Sequence, residues 1–299
     1  MLTRRRLVIT LALVALGATP TVAAGTFGSG RHEGRGYALY TPSTPVTGPL
    51  VVALHGCWQT PEDFALGTRL NDAAERRGLV VVYPAQTRRD NAYRCWNWFA
   101  PEAAPAAGEV GEILAVARHV QTERGLRDSH LLVLGFSAGG FMAVNLACAA
   151  PHVVSGIGVA GGGAYRCGVG PAGALQCMRG LGAEPGVSAS ACLRAAGVPT
   201  LPLRASLWQG GADTVVSPAN LTALAAMLAR AAGAAAAHTE RIDGAVRTVH
   251  HDAASRPVLE TWLIPGMGHA WSGGDARGTH TYPPGPPATE RMLEFLLGR

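Results

Sequence analysis

The sequence predicts an α/β domain whose mostly parallel sheet is covered by helices on both faces. Three observations predict it. Short apolar runs recur at residues 50–54, 79–83, 131–134, 156–160, 205–209 and 259–264, the pattern of strands buried on both faces. Stretches of helical spacing separate them, and strands alternating with helices require crossover connections between parallel strands. A chain of 299 residues with 48% hydrophobic and 15% charged residues supports one large core, and no repeat or long linker divides it.

In chain order, Arg4, Arg5 and Arg6 precede an uncharged apolar run from Leu7 to about Gly17, followed by small residues near Ala23 and Ala24. This reads as a signal peptide over residues 1–24, leaving one domain at 25–299. The run is shorter than the roughly 20 residues of a spanning helix. The exported chain, extracellular or periplasmic, is therefore expected to leave the membrane. Thr3 to Leu7 also resembles a twin-arginine signal, although an ordinary basic leader looks much the same. After the run at 50–54, Thr60 caps a helix expected to reach Arg77, with Phe64, Leu66, Leu70 and Ala74 near helical spacing and Gly78 as its stop. Further helices are expected at 109–123, 137–150, 217–232 and 288–297. The segment 161–198 breaks the rhythm, carries three of the six cysteines and reads as a disulfide-tied insertion. It is a wall of a site or a structural loop.

Composition removes several functions. There is no lysine, so P-loop nucleotide chemistry and lysine Schiff bases are excluded. The net charge of +5 comes from arginines that are scattered and often beside acids, as in Glu75-Arg76-Arg77, so a solvated surface rather than a nucleic-acid site is expected. The six cysteines suit an exported protein with up to three disulfides, and sequence does not choose their pairing. None forms a CxxC pair and no metal site is expected; His250 and His251 lack a third spaced ligand.

The chemistry is carried by Gly135-Phe-Ser137-Ala-Gly139, which follows an apolar strand and opens a run that can be helical. A serine on so tight a strand-to-helix turn is forced outward, and glycines flank it because side chains there would collide with backbone. A serine hydroxyl needs a base within reach, and the base needs an acceptor to fix its tautomer. With the order serine, acid, histidine, the acids to weigh are Asp213, Asp243 and Asp252, and the bases His238, His250, His251, His269 and His280. Asp213 and His269 stand out because each follows the carboxyl end of a strand, where α/β sites gather. Asp243 and His250-His251-Asp252 lie in a polar stretch that reads as a surface turn or hairpin. Taken alone, Asp213 could equally cap the helix from Ser217. The strand at 50–54 runs into His55-Gly56-Cys57, making the backbone N–H groups of Cys57 and Ala138 the candidate oxyanion donors. A disulfide from Cys57 to Cys95 would stiffen that loop.

Pro49-Leu-Val-Val-Ala-Leu-His-Gly-Cys57, Tyr83-Pro84, Cys95-Trp-Asn-Trp-Phe99, Gly135-Phe-Ser-Ala-Gly-Gly140, Gly211-Ala-Asp213 and Gly268-His-Ala-Trp-Ser-Gly-Gly274 together resemble the α/β-hydrolase esterases that include polyhydroxybutyrate depolymerases and feruloyl or acetylxylan esterases. The resemblance spans nearly all of the chain after the leader. It implies hydrolysis of carboxylic esters without a cofactor, through an acyl-enzyme on Ser137 with Asp213 and His269 as partners. It further implies Cys57 as oxyanion donor and disulfide partner of Cys95, and Trp271 as a substrate-contacting residue. Phe136 stands where many relatives carry leucine, and the segment 161–198 is more elaborate than the family pattern. The expected partner is a small-molecule or polymeric ester, aliphatic hydroxyacid or plant cell wall; the alternative is a secreted binding protein that kept the fold. With no room for a polymer-binding module after His269, soluble esters or oligomers are expected ahead of crystalline polymer.

Overall fold

The computed structural model describes residues 25–101, 108–127 and 129–298, so the expected leader lies outside the described residues. The chain opens with an antiparallel hairpin, β1 (Thr26–His32) and β2 (Arg35–Thr41), and then alternates. β3 (Leu50–Leu54) is followed by α1 (Pro61–Thr68) and α2 (Leu70–Arg77), β4 (Val81–Pro84) by α3 (Gly108–Glu123), and β5 (Leu131–Phe136) by α4 (Ala138–Ala149). β6 (Val154–Ala160) leads into α5 (Gly170–Met178) and α6 (Pro185–Ala196), and β7 (Arg204–Gly210) into α7 (Ala219–Ala232). A second hairpin, β8 (Ala236–Ile242) and β9 (Ala245–His251), precedes β10 (Pro257–Ile264), the two-residue strands β11 (Trp271–Ser272) and β12 (Thr281–Tyr282), and α8 (Ala288–Leu297).

One ten-stranded sheet runs in the order β1-β2-β4-β3-β5-β6-β7-β10-β9-β8. Its six central strands are parallel, and they are the six apolar runs of the sequence. Even in these runs side chains alternate between faces: Leu50, Val52 and Leu54 join the core under α3, α4, α6 and α7, whereas Val51 and Ala53 join the core under α1, α2 and α8. Because the central strands are parallel, their carboxyl ends share one edge, and every connection discussed below starts there.

One expectation changes. The helix expected to run unbroken from Thr60 to Arg77 is split at Arg69, which adopts a left-handed conformation (φ 55°) and caps α1 through its N–H on the Leu66 carbonyl. The break lets Gly67 meet the loop before β12, where a Cβ on Gly278 would stand 2.3 Å from Gly67 Cα. The β1–β2 hairpin was not anticipated, because β1 is mostly exposed and its glycines and polar residues give no apolar alternation. The 161–198 segment contains α5 and α6, tied by Cys167–Cys177 within it and by Cys148–Cys192 to α4. The polar stretch holding Asp243, His250 and His251 is the β8–β9 hairpin.

Candidate active site

Ser137 sits between β5 and α4 with φ 54° and ψ −122°, a conformation that side chains rarely adopt. It is held because its N–H donates to the Ala160 carbonyl of β6 at 2.8 Å, while its own carbonyl accepts the first helical bond, from Phe141 N–H. The flanking glycines are required by contact. A Cβ on Gly135 would lie 2.1 Å from the Gly139 carbonyl oxygen, and one on Gly139 would lie 2.1 Å from that of Leu54.

His269 reaches this serine from the loop after β10, with Nε2 2.9 Å from Ser137 Oγ and Nδ1 2.7 Å from Asp213 Oδ2. Asp213 comes from the loop after β7 and is buried. Its Oδ1 accepts from the N–H groups of Val215 and Val216, and its Oδ2 also accepts from Gln209 Nε2. Burial alone would raise this carboxyl, but hydrogen bonding and charge from His269, with the two backbone donors, outweigh it and hold the group below the usual carboxylate range. The carboxylate thus accepts Nδ1–H, which leaves Nε2 of a neutral His269 as the lone-pair atom facing Ser137. The ring lies against Phe136 at 4.8 Å, and Gly161, with φ +61°, brings backbone so close that a Cβ would stand 3.0 Å from His269 Cε1.

The backbone N–H groups of Cys57 and Ala138 have no acceptor among the described residues. Ala138 is the first residue of α4, so its N–H is one of the donors a helix start leaves over, and the helix dipole adds to it. Cys57 pairs with Cys95, joining the loops after β3 and β4. Behind it, His55 is fully buried and pushed down to about 4, chiefly by desolvation. A neutral imidazole suits its neighbours: Nδ1–H donates to the Gly56 carbonyl and Nε2 accepts Gln86 N–H. Gln59 Oε1 accepts Gly56 N–H, and Trp96 Nε1 donates to the His55 carbonyl.

Sequence reasoning missed two of these supports, His55 as a neutral strut and Gln209 as the fourth donor on Asp213. The signal for both was a polar residue embedded in an apolar run at a strand's carboxyl end. Of the other histidines weighed, His280 lies 6.4 Å from His269 between ring centres, and burial, followed by the His269 charge, holds it below the ordinary histidine range. His238, His250 and His251 belong to the hairpin at the sheet edge, away from Ser137. Trp271 requires a correction. It is 2% exposed, packs edge-on against Phe64 and donates Nε1–H to Thr289 Oγ1, so it is a core side chain bracing the loop after His269 rather than a surface for substrate. The described residues contain no group of His, Cys, Asp and Glu able to hold a metal ion.

A family model described as Esterase PHB depolymerase matches residues 35–251. The chain is 29% identical over 235 residues, 75% of its length and 55% of the relative's, to poly(3-hydroxyalkanoate) depolymerase C of Paucimonas lemoignei. It is 31% identical over 155 residues, 49% of its length and 52% of the relative's, to feruloyl esterase B of Neurospora crassa. It thus spans about half the length of these curated relatives. Among solved structures, an acetyl xylan esterase from Aspergillus awamori superimposes with a TM-score of 0.73 at 21% identity, over 82% of this chain and 94% of that one, a likeness of α/β-hydrolase fold.

Proposed function

Because the chain belongs to the esterase PHB depolymerase family, we propose that it hydrolyses carboxylic esters by acyl transfer to Ser137, acting on hydroxyalkanoate oligomers or polymer. The observation that carries the reading is the unbroken line from Ser137 Oγ through His269 to Asp213, at 2.9 and 2.7 Å. Attack by Oγ on the ester carbonyl carbon moves its proton to His269 Nε2, and the resulting imidazolium is stabilised by the Asp213 carboxylate. The carbonyl oxygen, now negative, takes the N–H groups of Cys57 and Ala138. His269 then protonates the departing alkoxide, leaving an acyl-enzyme, and afterwards removes a proton from the water that releases the acid. No step calls for a cofactor. The hydroxyalkanoate class is favoured over a cell-wall ester because the depolymerase of Paucimonas lemoignei aligns over 75% of this chain, against 49% for the feruloyl esterase.

Export is part of the same proposal. Three disulfides suit an oxidising compartment, and no described helix is long and apolar enough to cross a membrane. The test is initial rates of the chain and of Ser137→Ala on a 3-hydroxybutyrate trimer and on methyl ferulate. Hydrolysis of the trimer, lost in the variant, is expected. Preference for the ferulate would move the enzyme to plant polysaccharide, and equal rates for the two proteins would sink the mechanism.

A further inference from the structure

The mechanism leaves one partly buried carboxylate without a role. Glu109 stands in the first turn of α3 and accepts three hydrogen bonds, all from the loop after β4. Gln86 Nε2 donates to its Oε1 at 2.5 Å, Asn97 Nδ2 to the same oxygen at 2.7 Å, and Asn97 N–H to Oε2 at 2.7 Å. Burial raises the carboxyl above its ordinary range in spite of these donors and of the Arg35 charge. A carboxylate in solvent would answer the dipole of α3 equally well, so the helix start does not account for one set inward against a loop.

From those two donors the contacts lead on to Cys57 by separate routes. Gln86 gives its N–H to His55 Nε2 at 3.1 Å, and His55 Nδ1–H donates to the Gly56 carbonyl at 2.8 Å. That carbonyl belongs to the same peptide group as the Cys57 N–H. Because the group is planar and trans, holding its oxygen on one side points the N–H to the other. The second route is covalent. Asn97 lies two residues beyond Cys95, which is bonded to Cys57, and the Cys95 carbonyl accepts Gln86 Nε2 at 3.0 Å. Between them, Trp96 Nε1 donates to the His55 carbonyl at 3.1 Å.

We propose that Glu109 is a positioning residue for the oxyanion hole: it holds Gln86 and Asn97, and through them the His55 ring and Cys95, so that the Cys57 N–H keeps its direction. The inference rests on acyl transfer to Ser137 and adds to it a residue that acts only through others. Direction is what such a donor contributes, since a hydrogen bond weakens steeply as its angle closes, and one oxyanion donor is worth about a hundred- to a thousandfold in turnover. A carboxylate suits the place because both its oxygens accept. An amide at 109 would turn its NH2 either on the Asn97 N–H or on the Gln86 and Asn97 side chains, and one route would slacken.

The test compares the parent chain with Glu109→Gln and with Gln121→Ala, which removes a side chain bonded to Ser129 near the other end of α3 and leaves the loop alone. Turnover of p-nitrophenyl butyrate is measured beside the inhibition constant of an alkyl trifluoromethyl ketone, with thermal melting of each protein. Ser137 Oγ adds to the ketone carbon, His269 takes the proton, and the ketone oxygen becomes an oxyanion facing Cys57 and Ala138, so the inhibitor reads the hole directly. Glu109→Gln is expected to lower kcat about tenfold or more and to raise the inhibition constant by a similar factor, with KM within about twofold. Gln121→Ala is expected to melt earlier and keep both constants. An unchanged kcat in Glu109→Gln, a fall that the ketone does not follow, or the same fall in Gln121→Ala would overturn the proposal. If Glu109→Gln does not fold, Asn97→Ala, which removes one donor and leaves the carboxylate, must show the same paired loss at smaller size, and its absence overturns the proposal equally. Failure of the ketone to inhibit the parent chain would instead overturn acyl transfer to Ser137 itself.

Discussion

Replacing Asp213 by asparagine exchanges one carboxylate oxygen for an NH2 group, and the surroundings decide which one. Oδ1 accepts two backbone N–H groups, from Val215 at 2.8 Å and Val216 at 2.9 Å, so the amide oxygen must stay there. The NH2 then faces His269 Nδ1, 2.7 Å away, and Gln209 Nε2, 2.9 Å away, where two donors now point at a third. His269 can answer only by carrying its proton on Nε2 and accepting at Nδ1. In that tautomer the nitrogen facing Ser137 is a donor and cannot take the hydroxyl proton. Loss of the correct tautomer in a serine triad costs about ten-thousandfold in turnover, or about 5.5 kcal/mol of transition-state stabilisation. The assay is the initial rate on p-nitrophenyl butyrate, with fluorophosphonate labelling of Ser137 as a second readout. Both should fall together while the melting temperature moves by only a few degrees. A loss below about tenfold in both would refute the assignment of Asp213 as the residue orienting His269.

Gly139→Ala places a Cβ 2.1 Å from the Leu54 carbonyl oxygen; overpacking of this kind costs about 3 kcal/mol, and thermal melting should show a drop of several degrees with near-complete loss of turnover. Replacing Cys57 and Cys95 with serine opens a link across 38 residues, a loss of about 4 kcal/mol by loop-closure entropy; kcat should fall more than KM rises, since in the proposed mechanism the Cys57 N–H acts on the transition state. The pH dependence of stability has a definite sign at His55. Its folded value of about 4 lies below the unfolded 6.5, so the unfolded chain binds the proton first. Its contribution is full above pH 6.5 and is lost as pH falls toward 4, by about 3 kcal/mol. Urea unfolding at pH 7 and pH 4.5 should show this slope, and His55→Asn should flatten it.

The parallel core was legible because its strands are buried on both faces and so read as continuous apolar runs. The serine was legible because the elbow's geometry admits only glycine at 135 and 139. Asp213 and His269, which the structure brings to Ser137, were singled out by position, each just past a strand that ends at the same edge. The residues that were missed act through tertiary contacts the sequence does not display. The role of His55 is fixed by Gln86, 31 residues away, and that of Gln209 by how the chain folds back at Val216. Trp271 was misjudged for the same reason. A tryptophan two residues from His269 carries no mark of which way it faces, and Thr289 and Phe64, which settle it, belong to distant helices. The break at Arg69 was hidden because an arginine in left-handed conformation looks like any helical arginine until Gly67 meets its neighbour.

The triad's three members are joined over sequence separations of 132 and 56 residues. Each stands on a loop whose position is defined only when β5, β7 and β10 have taken their places in the sheet. Contacts of such long range are late events in folding, because the entropy of closing the intervening chain is lost before the sheet rewards it. A partly folded chain can hold the elbow, formed by β5 and α4 beside β6, and still have no base within reach of it. Recovery of esterase activity after dilution from denaturant should therefore lag behind the return of helical dichroism, making the reaction itself a clock for the last stage of assembly.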